Sequence, residues 1–199
     1  LSLHDALLIW FLCAACAVMV SVLFVSAVSA APVQWAEASG GNGHYYELVI
    51  ETTNWADANT AAKSTSYLGA QGHLLTVTSE AESDFVLDSL TVTMQYYIGG
   101  QQLDGASEPD GGWYWITGET WGYENWATLQ PDNGAATPES KLTFCGPDLG
   151  SNYPEGTWND VGEDALLAGY IVEYSVPEPS TMGLLALGTL GLIQRRRAT

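Results

Sequence analysis

The chain has 199 residues, with 23 Asp or Glu against 5 Lys or Arg, so its formal net charge at pH 7 is −18. This charge excludes nucleic acid as an expected partner, because binding to phosphates needs a basic surface. Disorder is excluded as well, since 8 Trp and 10 Tyr provide apolar area to bury. The length fits one domain with terminal segments.

Residues 1–30 have the pattern of a signal peptide. A long apolar run ends at Val28, and small residues follow that suit cleavage before Ala31. Basic residues are missing from the polar start, and an uncleaved membrane anchor is the alternative interpretation. Cys13 and Cys16 lie inside this segment, so removing it leaves Cys145 without a cysteine partner in the same chain. We therefore expect an exported domain without an intramolecular disulfide, and with Cys145 buried.

The segment after the signal peptide alternates between strand and helix patterns. A first helix is expected after Thr53-Asn54, which can cap it, and a second begins after the capping box Ser79-x-x-Glu82 and ends near Leu90. The predicted strands are 43–51, 72–78, 96–100, 141–145 and 169–175. The pattern indicates an α+β domain over residues 31–175.

Gly, Pro, Asp and Asn are frequent throughout residues 99–157, which predicts a long loop region. A loop region of this length in a compact domain is usually functional. We expect the tryptophans in it to belong mostly to the core.

The C-terminal segment 176–199 combines three features in order. Pro177-Glu178-Pro179 ends regular structure, a short apolar stretch from Met182 to Ile193 follows, and Arg195, Arg196 and Arg197 form a basic end. The segment resembles the PEP-CTERM sorting signal of Gram-negative bacteria. This resemblance implies a short transmembrane segment, recognition by an exosortase in the inner membrane, cleavage near the Pro-Glu-Pro motif and delivery outward, often in bacteria that make extracellular polysaccharide. An ordinary short anchor is the alternative.

The central domain resembles a C-type lectin-like domain. The marks in chain order are Gly43-His44-Tyr45-Tyr46, Trp55, GHLLTVTSEAE, Tyr97-Ile98-Gly99-Gly100, WYWITGE, Tyr123-Glu124-Asn125-Trp126, Gln130-Pro131-Asp132, Glu139, Trp158-Asn159-Asp160 and Gly169-Tyr170-Ile171-Val172-Glu173. The family's usual paired cysteines are missing. The resemblance implies two helices, a small antiparallel sheet and a long ligand-binding loop region.

The resemblance also implies a calcium site. Amide and carboxylate oxygens are the ligands that Ca²⁺ prefers. The five side chains that match the family's principal site, and would also bind sugar, are Gln130, Asp132, Glu139, Asn159 and Asp160. Pro131 is expected to follow a cis peptide bond that turns its neighbours toward the ion.

In sugar-binding members these groups also hydrogen-bond two vicinal hydroxyls of the ligand. Gln-Pro-Asp resembles the galactose type, which usually adds an aromatic ring that stacks on the sugar. Residues 133–138 contain no aromatic side chain, and Trp121 or Tyr153 are the candidates elsewhere.

Two other classes of function compete with a lectin. Asp132, Glu139 and Asp160 resemble the paired carboxylates of a glycosidase, but the amides among them favour a metal ion over acid–base catalysis, so we expect no enzyme. A protein-binding or structural matrix module without sugar binding is the alternative. We expect a calcium-dependent lectin at the cell surface or in the extracellular matrix, with carbohydrate as its partner and membrane contact only through its terminal segments.

Overall fold

The computed structural model describes residues 28–134 and 138–176. Most of the signal peptide and the sorting tail from Pro177 onward lie outside the described residues, as do the predictions made for them. Within the described ranges, neither helix has the length and hydropathy needed to cross a bilayer.

The two predicted helices are present and capped as expected. Helix α1 (Trp55–Ser64) begins after Asn54, whose side chain accepts the backbone N–H of Asp57 at 2.9 Å. Helix α2 (Glu80–Ser89) begins after Ser79, whose hydroxyl accepts the backbone N–H of Glu82 at 3.2 Å. Both caps satisfy N–H groups that have no partner within the first helical turn.

The capping box of α2 forms only in part. A complete box would return the Glu82 carboxylate to the backbone N–H of Ser79. The carboxylate instead accepts the backbone N–H and the hydroxyl of Thr78, at 2.7 and 2.9 Å. Its other oxygen accepts the Tyr46 hydroxyl at 2.7 Å, so Glu82 joins α2 to the sheet below it.

The strands of the described residues contribute to one large sheet and a small hairpin. They are β1 (Val28–Ser29), β2 (Val33–Gln34), β3 (Tyr45–Thr53), β4 (Ser66–Tyr67), β5 (Ala70–Leu74), β6 (Gln95–Gln102), β7 (Trp113–Trp115), β8 (Glu139–Cys145), β9 (Trp158–Gly162) and β10 (Leu167–Tyr174). Short 3-10 turns lie at Glu37–Ser39 and Pro147–Leu149.

The sheet has the order β1-β3-β10-β6-β8-β9, with β2 on β3, β5 on β10 and β7 on β6. Its pairings are antiparallel except between β10 and β6, where Tyr170 meets Tyr97 in parallel. The sheet is therefore larger than the predicted small antiparallel sheet, and it is mixed. Helix α1 packs against β5, β6 and β10.

Two strands were not predicted: β7, which lies inside the predicted loop region 99–157, and β9, which begins directly after that region. Strand β7 pairs with β6, where Trp115 is opposite Gly100. Strand β9 pairs with β8, where Trp158 is opposite Phe144 and Asp160 is opposite Leu142. Prediction missed them because glycines and acidic residues flank short runs whose strand character comes from pairing with buried neighbours.

Strand β1 comes from the segment assigned to the signal peptide. Val28 is opposite Ile50 and Ser29 is opposite Val49 at the edge of the sheet. Cleavage before Ala31 would remove this two-residue strand and leave β2 as the partner of β3 on that side.

The core contains two clusters of buried side chains. One cluster includes α2 residues, Ile98, Leu142, Phe144 and the tryptophans 113, 115 and 158. The other includes Trp55, Leu74, Tyr97 and Val172. Cys145 is a free, fully buried cysteine, and burial raises the pKa of its thiol to about 12.

Candidate functional site

Three carboxylates converge beside strands β8 and β9. Ligand-type oxygens of Asp132, Glu139 and Asp160 all lie within 4.8 Å of one another. Asp132 follows Pro131 in a loop, Glu139 is the first residue of β8, and Asp160 is the third residue of β9. Side chains separated by up to 28 positions therefore meet at one point. Strand pairing holds two of them in place, although all of them were expected in loops.

The pairing of β8 with β9 positions Asp160. The carboxylate is 1% exposed and accepts the backbone N–H of Asp132 at 3.3 Å and of Asn133 at 3.0 Å. Burial raises the pKa of Asp160, and the neighbouring charge of Asp132 adds to this, while the backbone N–H groups oppose it. A buried carboxylate beside two others repels them, and a bound cation would relieve that repulsion.

The loop before Asp132 is anchored on β9. The backbone N–H of Trp158 donates to the Asn125 carbonyl at 2.7 Å, and the backbone N–H of Ala127 donates to the Trp158 carbonyl at 2.9 Å. A turn follows, in which the N–H of Gln130 donates to the Ala127 carbonyl at 2.9 Å. These hydrogen bonds hold the segment from Asn125 to Gln130 against β9, the strand that carries Asp160.

The side chain of Gln130 has a hydrogen-bond acceptor that no donor satisfies in the described part of the chain. The peptide bond between Gln130 and Pro131 is cis, the isomer that the family resemblance implies. Oε1 of Gln130 is buried and has no hydrogen-bond partner among the described residues. A buried amide oxygen is normally satisfied, so this atom calls for a cation or a water molecule. The donor set of one amide and three carboxylates fits a hard cation such as Ca²⁺.

Asn159 lies between Trp158 and Asp160 on β9. Its carbonyl accepts the hydroxyl of Thr143 at 2.8 Å, which fixes the backbone, and its side chain is half-buried. Asn159 directly precedes Asp160 in the chain and Gln130 lies two positions before Asp132, whereas the measured convergence is that of Asp132, Glu139 and Asp160.

The two aromatic candidates for stacking on a sugar have different surroundings. Trp121 packs against Trp113, Trp115, Trp126 and Trp158, with ring centroids 4.8 to 6.4 Å apart. Its indole N–H also donates to Glu124 at 2.5 Å, so the ring belongs largely to the core. Tyr153 is half-buried in a turn, where its N–H donates to the Gly150 carbonyl at 3.1 Å.

Asn133 is a site residue that the sequence analysis did not single out. Its backbone N–H reaches Asp160, and its Oδ1 accepts the backbone N–H of Glu139 at 2.9 Å. Its φ is +47°, in a region that Asn adopts more readily than most residues. The signal was present in the sequence, because an Asn directly after Pro-Asp is typical of such turns.

The chain matches two family models. The model described as the lectin C-type domain matches residues 49–167, which is more than half of the chain. The model described as the PEP-CTERM protein-sorting motif matches residues 175–197. The second match identifies the C-terminal segment and suggests an exported protein.

Two relatives with similar sequences agree with the match to the lectin C-type domain. Halomucin from Haloquadratum walsbyi is 31% identical over 139 residues, which are 67% of this chain and 1% of halomucin. A lectin from Pleurodeles waltl is 28% identical over 138 residues, 67% of this chain and 71% of that protein. The match to halomucin is therefore a match to a small part of a very long protein.

The C-type lectin CEL-I from Cucumaria echinata is a structural neighbour, with a TM-score of 0.53 and 28% identity over 66% of this chain and 89% of that one. The α+β lectin fold expected from the sequence is thereby confirmed, with two helices and a sheet. The chain belongs to the C-type lectin domain family, and it ends in a PEP-CTERM protein-sorting motif.

Proposed function

We propose that this is an exported, calcium-dependent carbohydrate-binding protein of a Gram-negative bacterium. The observation that carries the proposal is the convergence of three carboxylates, together with a buried amide oxygen, two positions before Asp132, that lacks a partner among the described residues. Family membership supports it, because C-type lectin domains commonly bind Ca²⁺. The relatives named lectins, from Pleurodeles waltl and Cucumaria echinata, support the sugar-binding part.

The proposed ligands of the ion are the five side chains named from the sequence, Gln130, Asp132, Glu139, Asn159 and Asp160. The bound ion would supply positive charge that holds two vicinal sugar hydroxyls. The carboxylates of Asp132 and Glu139 would accept hydrogen bonds from these hydroxyls, and the amide groups of Gln130 and Asn159 would donate to them. The Gln130-Pro131-Asp132 order favours a galactose-like arrangement of hydroxyls.

The sorting motif supports a function outside the cytoplasm. We propose that residues 1–30 are the signal peptide, 31–175 the lectin domain and 176–199 the exosortase signal with its short transmembrane segment. The membrane would then hold the protein only until both ends are processed. The proposed destination is the cell surface or the extracellular matrix, where bacterial polysaccharide is the expected partner.

A thermal melt tests the calcium site. Purified wild type and Asp132→Asn are each melted in calcium and in chelator, with the exposed Asp148→Asn as the control. A ligand at 100 times its dissociation constant adds about 2.7 kcal/mol to the stability, or a rise in Tm of roughly 5–10 °C for a domain of this size. We expect this rise for wild type and for Asp148→Asn, and its loss for Asp132→Asn.

Binding to immobilised galactose and mannose, with and without chelator, then tests the sugar. Retention on galactose that chelator abolishes supports the proposal. Calcium binding without retention on either sugar or on the host's polysaccharide would favour a protein-binding or structural matrix module. Identical melts of wild type in calcium and chelator would contradict the calcium site.

A further inference from the structure

Asn133 links two of the segments that carry the converging carboxylates. Its backbone N–H donates to Oδ2 of Asp160 on β9, at 3.0 Å. Its side-chain Oδ1 accepts the backbone N–H of Glu139 at the start of β8, at 2.9 Å. Glu139 and Asp160 are thus tied through one residue whose own side chain is not among the proposed ligands.

The backbone at Asn133 explains why this position suits asparagine. Its φ of +47° lies in the left-handed region, which costs most side chains energy but is accessible to Asn, Asp and Gly. Of these residues, glycine would keep the backbone N–H to Asp160 but would lack the acceptor for Glu139. Asparagine provides the backbone shape and the acceptor together.

The link acts against electrostatic repulsion. Asp132, Glu139 and Asp160 carry like charges within 4.8 Å of one another, so they favour separation when no cation is present. The bond from Glu139 to Asn133 draws the beginning of β8 toward Asp160, and the bond from Asn133 to Asp160 secures the other side. When the ligands are already in place, ion binding does not have to order them, so less conformational entropy is lost on binding.

We propose that Asn133 is a positioning residue that assembles the cation site before the ion arrives, an inference that rests on the proposed calcium binding. Residues that orient metal ligands typically change metal affinity by 10- to 100-fold when they are mutated. The side chain of Asn133 is therefore expected to set the affinity by holding Glu139, without contacting the ion itself.

The test compares wild type with Asn133→Gly, Asn133→Asp and the control Asn152→Gly, which alters an exposed asparagine in another turn. Two quantities are measured on the purified protein. One is the dissociation constant for Ca²⁺ by calorimetry, and the other is the hydrogen-exchange rate of the Glu139 amide in chelator by NMR. The second needs no ion, so it reports the link itself.

We expect Asn133→Gly to bind Ca²⁺ roughly 10- to 100-fold more weakly and to exchange the Glu139 amide faster in chelator. Asn133→Asp should restore the protection of this amide, because it keeps both the acceptor and the tolerance of positive φ. Asn152→Gly should match wild type in both measurements.

Two results would overturn the proposal while leaving calcium binding intact. One is that wild type binds Ca²⁺ and Asn133→Gly binds it with equal affinity. The other is an unprotected Glu139 amide in wild type in chelator, which remains decisive even if the glycine variant fails to fold. A wild type that binds no Ca²⁺ would instead overturn the proposed function itself.

Discussion

Nδ1 of His44 lies 2.6 Å from Oε1 of Glu173, an ion pair that joins the start of β3 to the end of β10. Glu173 is 1% exposed, and its other oxygen accepts the backbone N–H of Thr76 at 3.0 Å. The second buried carboxylate of this region, Glu82, interacts electrostatically with Glu173. Within the described residues this network is separate from the carboxylates at Asp160, and it gives the fold a dependence on pH of its own.

Stability should fall as the pH rises above the unfolded-state pKa of about 6.5 and through the raised pKa of His44, because His44 then loses its charge. The hydrogen bond to Glu173 raises the pKa of His44, and burial of the ring opposes this only in part. A folded-state pKa above the unfolded value of about 6.5 means that the stabilisation is fully present below that pH. It is lost as the pH rises through the folded-state pKa. Denaturant unfolding between pH 6 and 8.5 measures the change.

The variant His44→Gln tests whether His44 causes this fall in stability with pH. His44→Gln at pH 6 should lose about 1.5–3 kcal/mol of stability, as for a hydrogen bond to a charged group, and should flatten the fall in stability with rising pH. His73→Gln is the comparison variant, because its Nδ1 forms only a long ion pair with Glu173, at 4.0 Å, and no hydrogen bond to it. Equal slopes for wild type and His44→Gln would show that another group titrates.

Glu82→Gln should destabilise the domain even though it removes a buried charge. The carboxylate accepts hydrogen bonds from Tyr46, Asn42 and both the backbone and the hydroxyl of Thr78. The amide of glutamine carries two N–H donors, and these would face groups that are themselves donors. Buried donors would then lack acceptors, which lowers the free energy of unfolding by about 1–3 kcal/mol. Urea unfolding measures this loss. The same change at Glu80, exposed in the first turn of α2, should have little effect, and equal losses in the two variants would refute the argument.

The sequence predicted the parts of the fold that depend on local chemistry. Asn54 and Ser79 begin the two helices because their side chains satisfy backbone N–H groups nearby in the chain. The longer strands were predicted because their apolar residues recur at strand spacing, as in β3 and β10. Family resemblance then named Asp132, Glu139 and Asp160, which the structure brings together.

The missed features depend on residues that are far apart in the chain. Strand β9 exists because Trp158 and Asp160 pair with β8, and no local pattern marks that pairing. Glu82 turns inward because Tyr46, 36 positions earlier, offers it a hydroxyl. Asn133 reaches both Glu139 and Asp160 only after these strands have formed.

Gly100 is required by close packing between β6 and β8. A Cβ at this position would lie 2.4 Å from Cδ2 and 2.8 Å from Cβ of Leu142, which is fully buried. Gly100→Ala should therefore cost about 1–3 kcal/mol through overpacking. Gly122→Ala is the control, since its nearest neighbour would be 3.9 Å away. Calorimetric melts of the two variants in chelator make the comparison, and equal Tm values would contradict the packing argument.

Trp158 should report cation binding, because it lies two residues before Asp160 on the same strand. Tb³⁺ can replace Ca²⁺ in oxygen sites and emits when a nearby indole transfers energy to it. Trp158→Phe should therefore lower the terbium emission excited through tryptophan more than Trp35→Phe does, because Trp35 stacks on Phe85 beside α2.

The fold should tolerate Trp158→Phe well enough for this comparison. The indole N–H of Trp158 is buried and has no acceptor among the described residues, so its removal offsets part of the lost packing. We expect a loss of stability well below the about 3–5 kcal/mol that removal of the whole side chain would cause. Equal terbium emission from Trp158→Phe and wild type, at matched occupancy, would place the bound cation away from β9 and so away from Asp160.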